Sequence, residues 1–131
     1  MKKVFLGGTF NKSVWRDILI PYLDIDYFKP VDKYSNTKCQ EEQIRQRKIC
    51  DFVLYTITPK MKGFSSIARV VDDSNKRPEK TILCILPFDN DNSFDYNQKR
   101  SLNTVAEMIE NNGGKVFRDL WSVAEYLNRY K

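Results

Sequence analysis

The chain has no histidine, and only three cysteines, five glycines and five prolines in 131 residues. Without histidine, a Ser-His-Asp triad, a Cys-His dyad and the common histidine-bearing zinc sites are excluded. Cys39, Cys50 and Cys84 are widely spaced, odd in number, and form no Cys-x-x-Cys pair, which argues against a disulfide framework or a thiolate metal site. They are read as reduced thiols, with Cys84, inside "TILCIL", buried in a strand. No apolar run approaches transmembrane length, and the "VFLGG" after Met1-Lys2-Lys3 is shorter than a signal-peptide core. The expectation is a soluble cytoplasmic chain with no membrane partner. Its formal charge of +5 is spread out, without a run such as KKRK. No nucleic-acid polymer is therefore expected, while a small anionic ligand is compatible with the charge.

What is present is a globular composition, 41% apolar, long enough for one continuous core. We read residues 1–131 as a single domain. Strand and helix signals alternate. "KKVFLGG" is a β-rich run closed by glycines. In "NKSVWRDILI" and the residues after it, Trp15, Ile18, Leu19 and Tyr22 recur at helical spacing, with Asn11 or Ser13 as N-cap and Pro21 as terminator. "DIDYFKPV" reads as a second strand, "DKYSNTKCQ" as an exposed loop and "CQEEQIRQRKIC" as a helix. "DFVLYTITP" is nearly continuous in apolar and β-branched residues, which suits a strand buried on both faces. A helix from "GFSS" to about Ser74 follows, then the strand "TILCILPF". The polar "DNDNSFDYNQKR" leads into a helix whose face is Leu102, Val105, Ala106 and Ile109, closed by "NNGG". "KVF" is a fifth strand, and Leu120, Val123, Ala124 and Leu127 mark the last helix.

Five strands alternating with helices predict an α/β three-layer sandwich with a five-stranded parallel sheet, Rossmann-like or flavodoxin-like, in an order such as 2-1-3-4-5. The strands fall near residues 3–7, 25–29, 51–57, 80–86 and 115–118. Ligands of such sheets sit at the carboxyl ends of the strands. That rule selects "GGTFNKS", "TPKMKGFSS" and "PFDNDNSFD". Gly7 and Gly8 admit close approach of a ligand to the backbone, or simply make a tight turn. The pattern is neither GxGxxG nor a Walker loop. Thr9, Phe10 and Trp15 offer a hydroxyl and two aromatic faces for a base or sugar, or for the core. Gly63, Ser65 and Ser66 at a helix start suit a phosphate, a carboxylate or a sugar hydroxyl, or ordinary serine capping.

The segments "VFLGGTF...SVWRDILIPYL...IDYFKPVD", "QIRQRKICDFVLYTITPKMKGFSSIA...VDDSNKRPEKTILCIL" and "KRSLNTVAEMIENNGGKVFRDLWSVAEYLN" together resemble the nucleoside 2-deoxyribosyltransferase-like family over almost the whole chain. The resemblance implies a flavodoxin-like sheet and N-glycosidic cleavage of 2'-deoxynucleosides through a glutamate nucleophile. It also implies a substrate held between the first glycine loop and the helix after strand 3, usually in a homo-oligomer whose neighbour closes the pocket. No cofactor and no metal is implied. Gly7, Gly8 and Thr9 match the family's first loop, and Ser66 and Ile67 match the start of its "SIAE" segment. Asp51 matches a frequent family acid, read here as an anchor of strand 3. "PFDNDNSFDYNQKR" is the candidate for an intersubunit contribution.

The nucleophile's position falls on Arg69. A guanidinium has no lone pair for attack at an anomeric carbon, and its charge opposes an oxocarbenium-like transition state. Two readings from different classes follow. One is a protein that binds a nucleoside or phosphorylated nucleotide without turnover, with Arg69 as an anion contact. The other is an active deoxyribosyltransferase or N-glycosidic hydrolase with a relocated carboxylate, for which the candidates are Asp72 and Asp73, three and four positions on, and then Glu41 and Glu42 in the helix before strand 3. A surface Arg69, one turn out of alignment, and a regulatory partner with a vestigial pocket are further alternatives.

Overall fold

The computed structural model describes residues 1–32 and 36–131. It is an α/β three-layer sandwich. In chain order the elements are β1 (Lys3–Gly8), α1 (Trp15–Leu19), a 3-10 turn (Ile20–Tyr22), β2 (Asp26–Phe28), α2 (Thr37–Ile49), β3 (Phe52–Ile57) and α3 (Ser65–Lys76). A second 3-10 turn (Pro78–Lys80), β4 (Thr81–Ile85), β5 (Phe88–Asp89), β6 (Asn92–Ser93), α4 (Tyr96–Asn111), β7 (Lys115–Phe117) and α5 (Leu120–Asn128) complete it.

The main sheet has the order β2-β1-β3-β4-β7, and all four of its pairings are parallel. This is the anticipated order, with the strands where the sequence put them. Every residue of β3 and β4 is buried, whereas β2 at one edge is largely exposed, as a parallel sheet covered on both faces requires. The side chains alternate between two cores. Val4, Leu6, Phe52, Leu54, Ile82 and Cys84 face Trp15 and Leu19 of α1 and Val123, Ala124 and Leu127 of α5. Phe5, Val53, Tyr55, Ile57, Leu83 and Ile85 face Val70 of α3 and Leu102, Ala106 and Ile109 of α4.

Local chemistry sets most element ends, not always as the sequence suggested. Pro21 lies in the first turn of the 3-10 segment and extends the helical path, because its missing N–H is not needed there. Val14 holds the N-cap of α1 without a side-chain bond, so neither Asn11 nor Ser13 caps it. The polar "DNDNSF" folds into the β5–β6 hairpin, turning at Asn90 with φ 57, and Asp95 with Gln98 then makes a capping box for α4. Gly113, at φ 100, supplies the left-handed residue after α4. Of the stretch read as a loop, residues 33–35 lie outside the described residues, and α2 begins at Thr37, capped by Asn36. Asp51 accepts from the Lys3 backbone N–H at 2.9 Å and so ties the starts of β1 and β3. No described helix is long and apolar enough to cross a membrane.

Burial pushes the thiols of Cys50 and Cys84 up to about 11 and about 12, while Cys39 is only half-buried. Thiolate is the reactive species. A thiol-titrating disulfide reagent at pH 8 is therefore expected to label Cys39 alone in the folded chain. All three cysteines should react after unfolding in denaturant. Rapid labelling of Cys84 in the folded state would contradict this packing.

Candidate functional site

At the carboxyl ends of β1 and β3 the backbones come too close for side chains. A Cβ on Gly8 would stand 2.1 Å from the Thr56 carbonyl oxygen, and Gly8 has φ +116. A Cβ on Gly7 would sit 3.1 Å from the Leu54 carbonyl oxygen and 3.2 Å from the Tyr55 ring. The glycines thus answer first to sheet geometry, and they also leave the rim of β1 bare.

Past Gly8 the chain folds onto Arg16, which is buried. Its Nε donates to the Leu6 carbonyl at 2.8 Å, and its Nη1 and Nη2 donate to the carbonyls of Thr9 and Gly8 at 2.8 and 3.2 Å. Its guanidinium carbon lies 4.1 Å from the Phe10 ring centre and 4.5 Å from that of Trp15. Burial lowers the Arg16 pKa to about 10, against the opposing pull of Asp32 and Asp17, so the group stays charged at neutral pH. Trp15, a candidate base-stacking residue on sequence grounds, is in the core at 2% exposure and donates Nε1–H to the Thr9 carbonyl. Its indole braces the loop from behind and lines no part of the cleft.

A second polar cluster joins the three loops selected by the sequence. Asp89 accepts from Ser13 Oγ at 2.5 Å and Thr58 Oγ1 at 2.6 Å, and Lys60 Nζ stands 3.7 Å from its other oxygen. Thr9 Oγ1 accepts from the Thr58 backbone N–H at 3.0 Å. Asn11 donates to the Lys60 carbonyl at 2.9 Å. The Thr9 hydroxyl, offered on sequence grounds as a ligand contact, thus already serves the loop framework.

Between the loops after β1 and β3, the residues after β2, and helices α2 and α3 lies a cleft in two lobes. The loop after β4, also selected by the sequence, lines neither lobe. The first, about 230 Å³, has Gly7, Gly8, Phe10, Ser65, Ser66 and Arg69 among its walls. The second, about 300 Å³, shares Gly8, Phe10 and both serines and adds Thr9 and Gly63. Eight of the nine sequence candidates therefore converge, Trp15 being the exception. Ser65 and Ser66 occupy the first turn of α3, where Phe64 is the N-cap and no side chain caps the end. Serine capping is thus not their role. Tyr55, on the floor of the first lobe, donates its hydroxyl to Asp73 at 2.5 Å. Burial and that bond push its pKa far above the ordinary phenol value, with the charges of Arg47 and Arg69 pulling the other way.

Arg47, Asp32 and Gln43 belong to this site and carried no motif. Arg47 lies in the weakly patterned α2, which buries Gln43 and Gln46 where a core-facing helix ordinarily buries apolar side chains. That polar inward face was the available signal. The Arg47 Nε is buried and has no hydrogen-bond partner among the described residues. Among those residues neither Arg47 nor Arg69 is in an ion pair.

None of the four acids named as candidate nucleophiles lines the cleft. Asp73, 1% exposed, accepts from Tyr55 and pairs with Arg77 at 2.9 Å. Asp72 pairs with Lys76. Glu42 accepts from Arg45 and Gln46, bonds that lower its carboxyl to about 2, and neither it nor Glu41 lines the cleft. Among the described residues Asp32 is the cleft's one carboxylate.

Compared with protein-family models, curated proteins and solved structures, the chain matches none.

Gly8→Ala is expected to cost about 3 kcal/mol or more, because it combines a forbidden φ with a backbone clash. Gly63→Ala, where an added Cβ meets nothing within 4 Å, should change stability by about 0.5 kcal/mol at most. Urea unfolding of both variants checks the contrast, and equal midpoints would refute it.

Proposed function

We propose that this chain is a nucleotide-binding protein of the nucleoside 2-deoxyribosyltransferase-like family that holds a phosphorylated nucleotide rather than cleaving it. The observation that carries this reading is the pair Arg47 and Arg69 on one cleft, without a carboxylate partner among the described residues. Arginine binds phosphate through two parallel N–H bonds, and each charge-assisted bond contributes roughly 1.5–3 kcal/mol. The buried, unpartnered Nε of Arg47 is a donor that an anionic oxygen would satisfy. Ser65 and Ser66 at the uncapped start of α3 add hydroxyls and backbone N–H groups of matching polarity. Phe10, whose ring lies over the Arg16 guanidinium and lines both lobes, offers a ring to a base or sugar.

The same charges argue against glycosidic cleavage. A unit positive charge about 4 Å from a developing oxocarbenium ion raises its energy by about 4 kcal/mol at an effective dielectric near 20. A carboxylate there would lower it by as much. Transfer chemistry with a relocated nucleophile remains the second reading, and one observation favours it: Asp32 lines both lobes with Gly8 and Ser66. Its carboxylate also partly offsets the burial of the Arg16 charge, which is a sufficient structural role.

The test is titration of the protein with nucleosides and their 5'-monophosphates, followed by chromatography for free base. The unmodified protein should release no base from 2'-deoxynucleosides and should bind monophosphates in a salt-sensitive manner. Arg69→Glu should weaken monophosphate binding tenfold or more, the equivalent of one charge-assisted bond, and change nucleoside binding less than threefold. Base release by the unmodified protein that is abolished in Asp32→Asn would establish the second reading instead.

A further inference from the structure

Beyond Asn11, Met61 and Lys62 the second lobe runs on into a third depression of about 330 Å³, whose walls include Lys12, Lys60 and Asn92. The Arg47–Arg69 lobe and this one have no lining residue in common, and each shares residues with the lobe between them. The three thus adjoin in series and are read as one groove over the strand ends, with cationic side chains at both extremities. Its middle is walled by Gly8, Phe10, Ser65 and Ser66, with Asp32 and Lys62 as the charged groups.

The far end is a built feature. Asn11 and Lys12 are consecutive non-glycine residues at φ 42 and 63, a disfavoured left-handed pair. Two bonds hold it, from Asn11 Nδ2 to the Lys60 carbonyl at 2.9 Å and from the Ser13 N–H to the Phe10 carbonyl at 2.8 Å. The turn sets Lys12 on the groove wall. Lys60 is fixed there too, its side chain 15% exposed and its Nζ 3.7 Å from Asp89. No carboxylate lines this lobe among the described residues, and neither Lys12 nor Lys62 is in an ion pair among them.

From this sequence of cationic, mainly neutral and cationic segments we infer that the groove takes a nucleoside flanked by two phosphates. One phosphate sits at Arg47 and Arg69, the sugar and base lie in the middle lobe, and the second phosphate sits at Lys12 and Lys60. The inference rests on the nucleotide-binding reading and names its ligand class. Two sources share this chemistry, a nucleoside 3',5'-bisphosphate and a 5'-phosphorylated dinucleotide.

Calorimetric titration of the full chain decides it, using for each of the four common bases the 5'-monophosphate, the 3',5'-bisphosphate and the 5'-phosphorylated dinucleotide. At least one of the two ligands with two phosphates should bind tenfold or more tighter than the monophosphate, with a steeper dependence on salt. The ligand that shows the gain identifies a monoester or a diester as the second group. Lys12→Glu should reduce the gain below threefold and leave monophosphate affinity within twofold. Lys12→Gln should fall between, with both variants keeping the unmodified chain's thermal midpoint. Monophosphate binding without any gain from a second phosphate would overturn this inference alone, as would a Lys12→Glu variant that weakens all three ligands equally. No binding of any nucleotide would overturn the functional reading and this inference together.

Discussion

The buried guanidinium of Arg16 is the interaction on which the site depends. Where β1 leaves the sheet, its last carbonyls lose their ladder partners, and buried carbonyls need donors. Arg16 supplies three, to Leu6, Gly8 and Thr9, in the fan that a planar guanidinium makes possible and an ammonium does not. Trp15 adds a fourth bond from the same turn of α1. The result is a glycine rim tied down by four side-chain bonds, with the Phe10 ring over the cation, and it forms one wall of the cleft. Burying that charge is costly, and Asp32 and Asp17 partly offset it through space.

The character of the cleft follows from where the other acids are used. Asp89 closes the knot of Ser13, Thr58 and Lys60 that ties the loops after β1, β3 and β4. Asp73 holds Tyr55 and Arg77 beneath α3. With those carboxylates committed to the framework, the cations at the strand ends outnumber the acids that could neutralise them. The cleft's positive charge is thus a consequence of how the scaffold satisfies its buried acids, as much as of the arginine at position 69.

Element by element, the fold was legible because its signals are local. Strands such as "FVLYTI" and "TILCI" are apolar throughout, helices such as α4 and α5 carry clean stripes, and glycine pairs end β1 and α4. Element ends were less legible. Ser13 has the right chemistry for an N-cap, but a carboxylate 76 positions away takes its hydroxyl. Trp15 has the right chemistry for a ligand platform, but its neighbour Arg16 and the first core claim the ring. Arg47 was marked only by the polar face of α2, because no apolar periodicity singles out a polar residue that faces a cleft.

The order of strands, the two apolar faces of the sheet, the glycines at its rim and the presence of an arginine at position 69 are determined by the sequence by itself. They depend on spacing along the chain, which the residues carry wherever they fold. Which charges are neutralised, which hydroxyls are consumed, and that Arg47 from α2 meets Arg69 from α3 were decided only by tertiary structure. Electrostatic compensation and hydrogen-bond satisfaction are properties of residues brought together in space, and nothing in the local pattern encodes the partner.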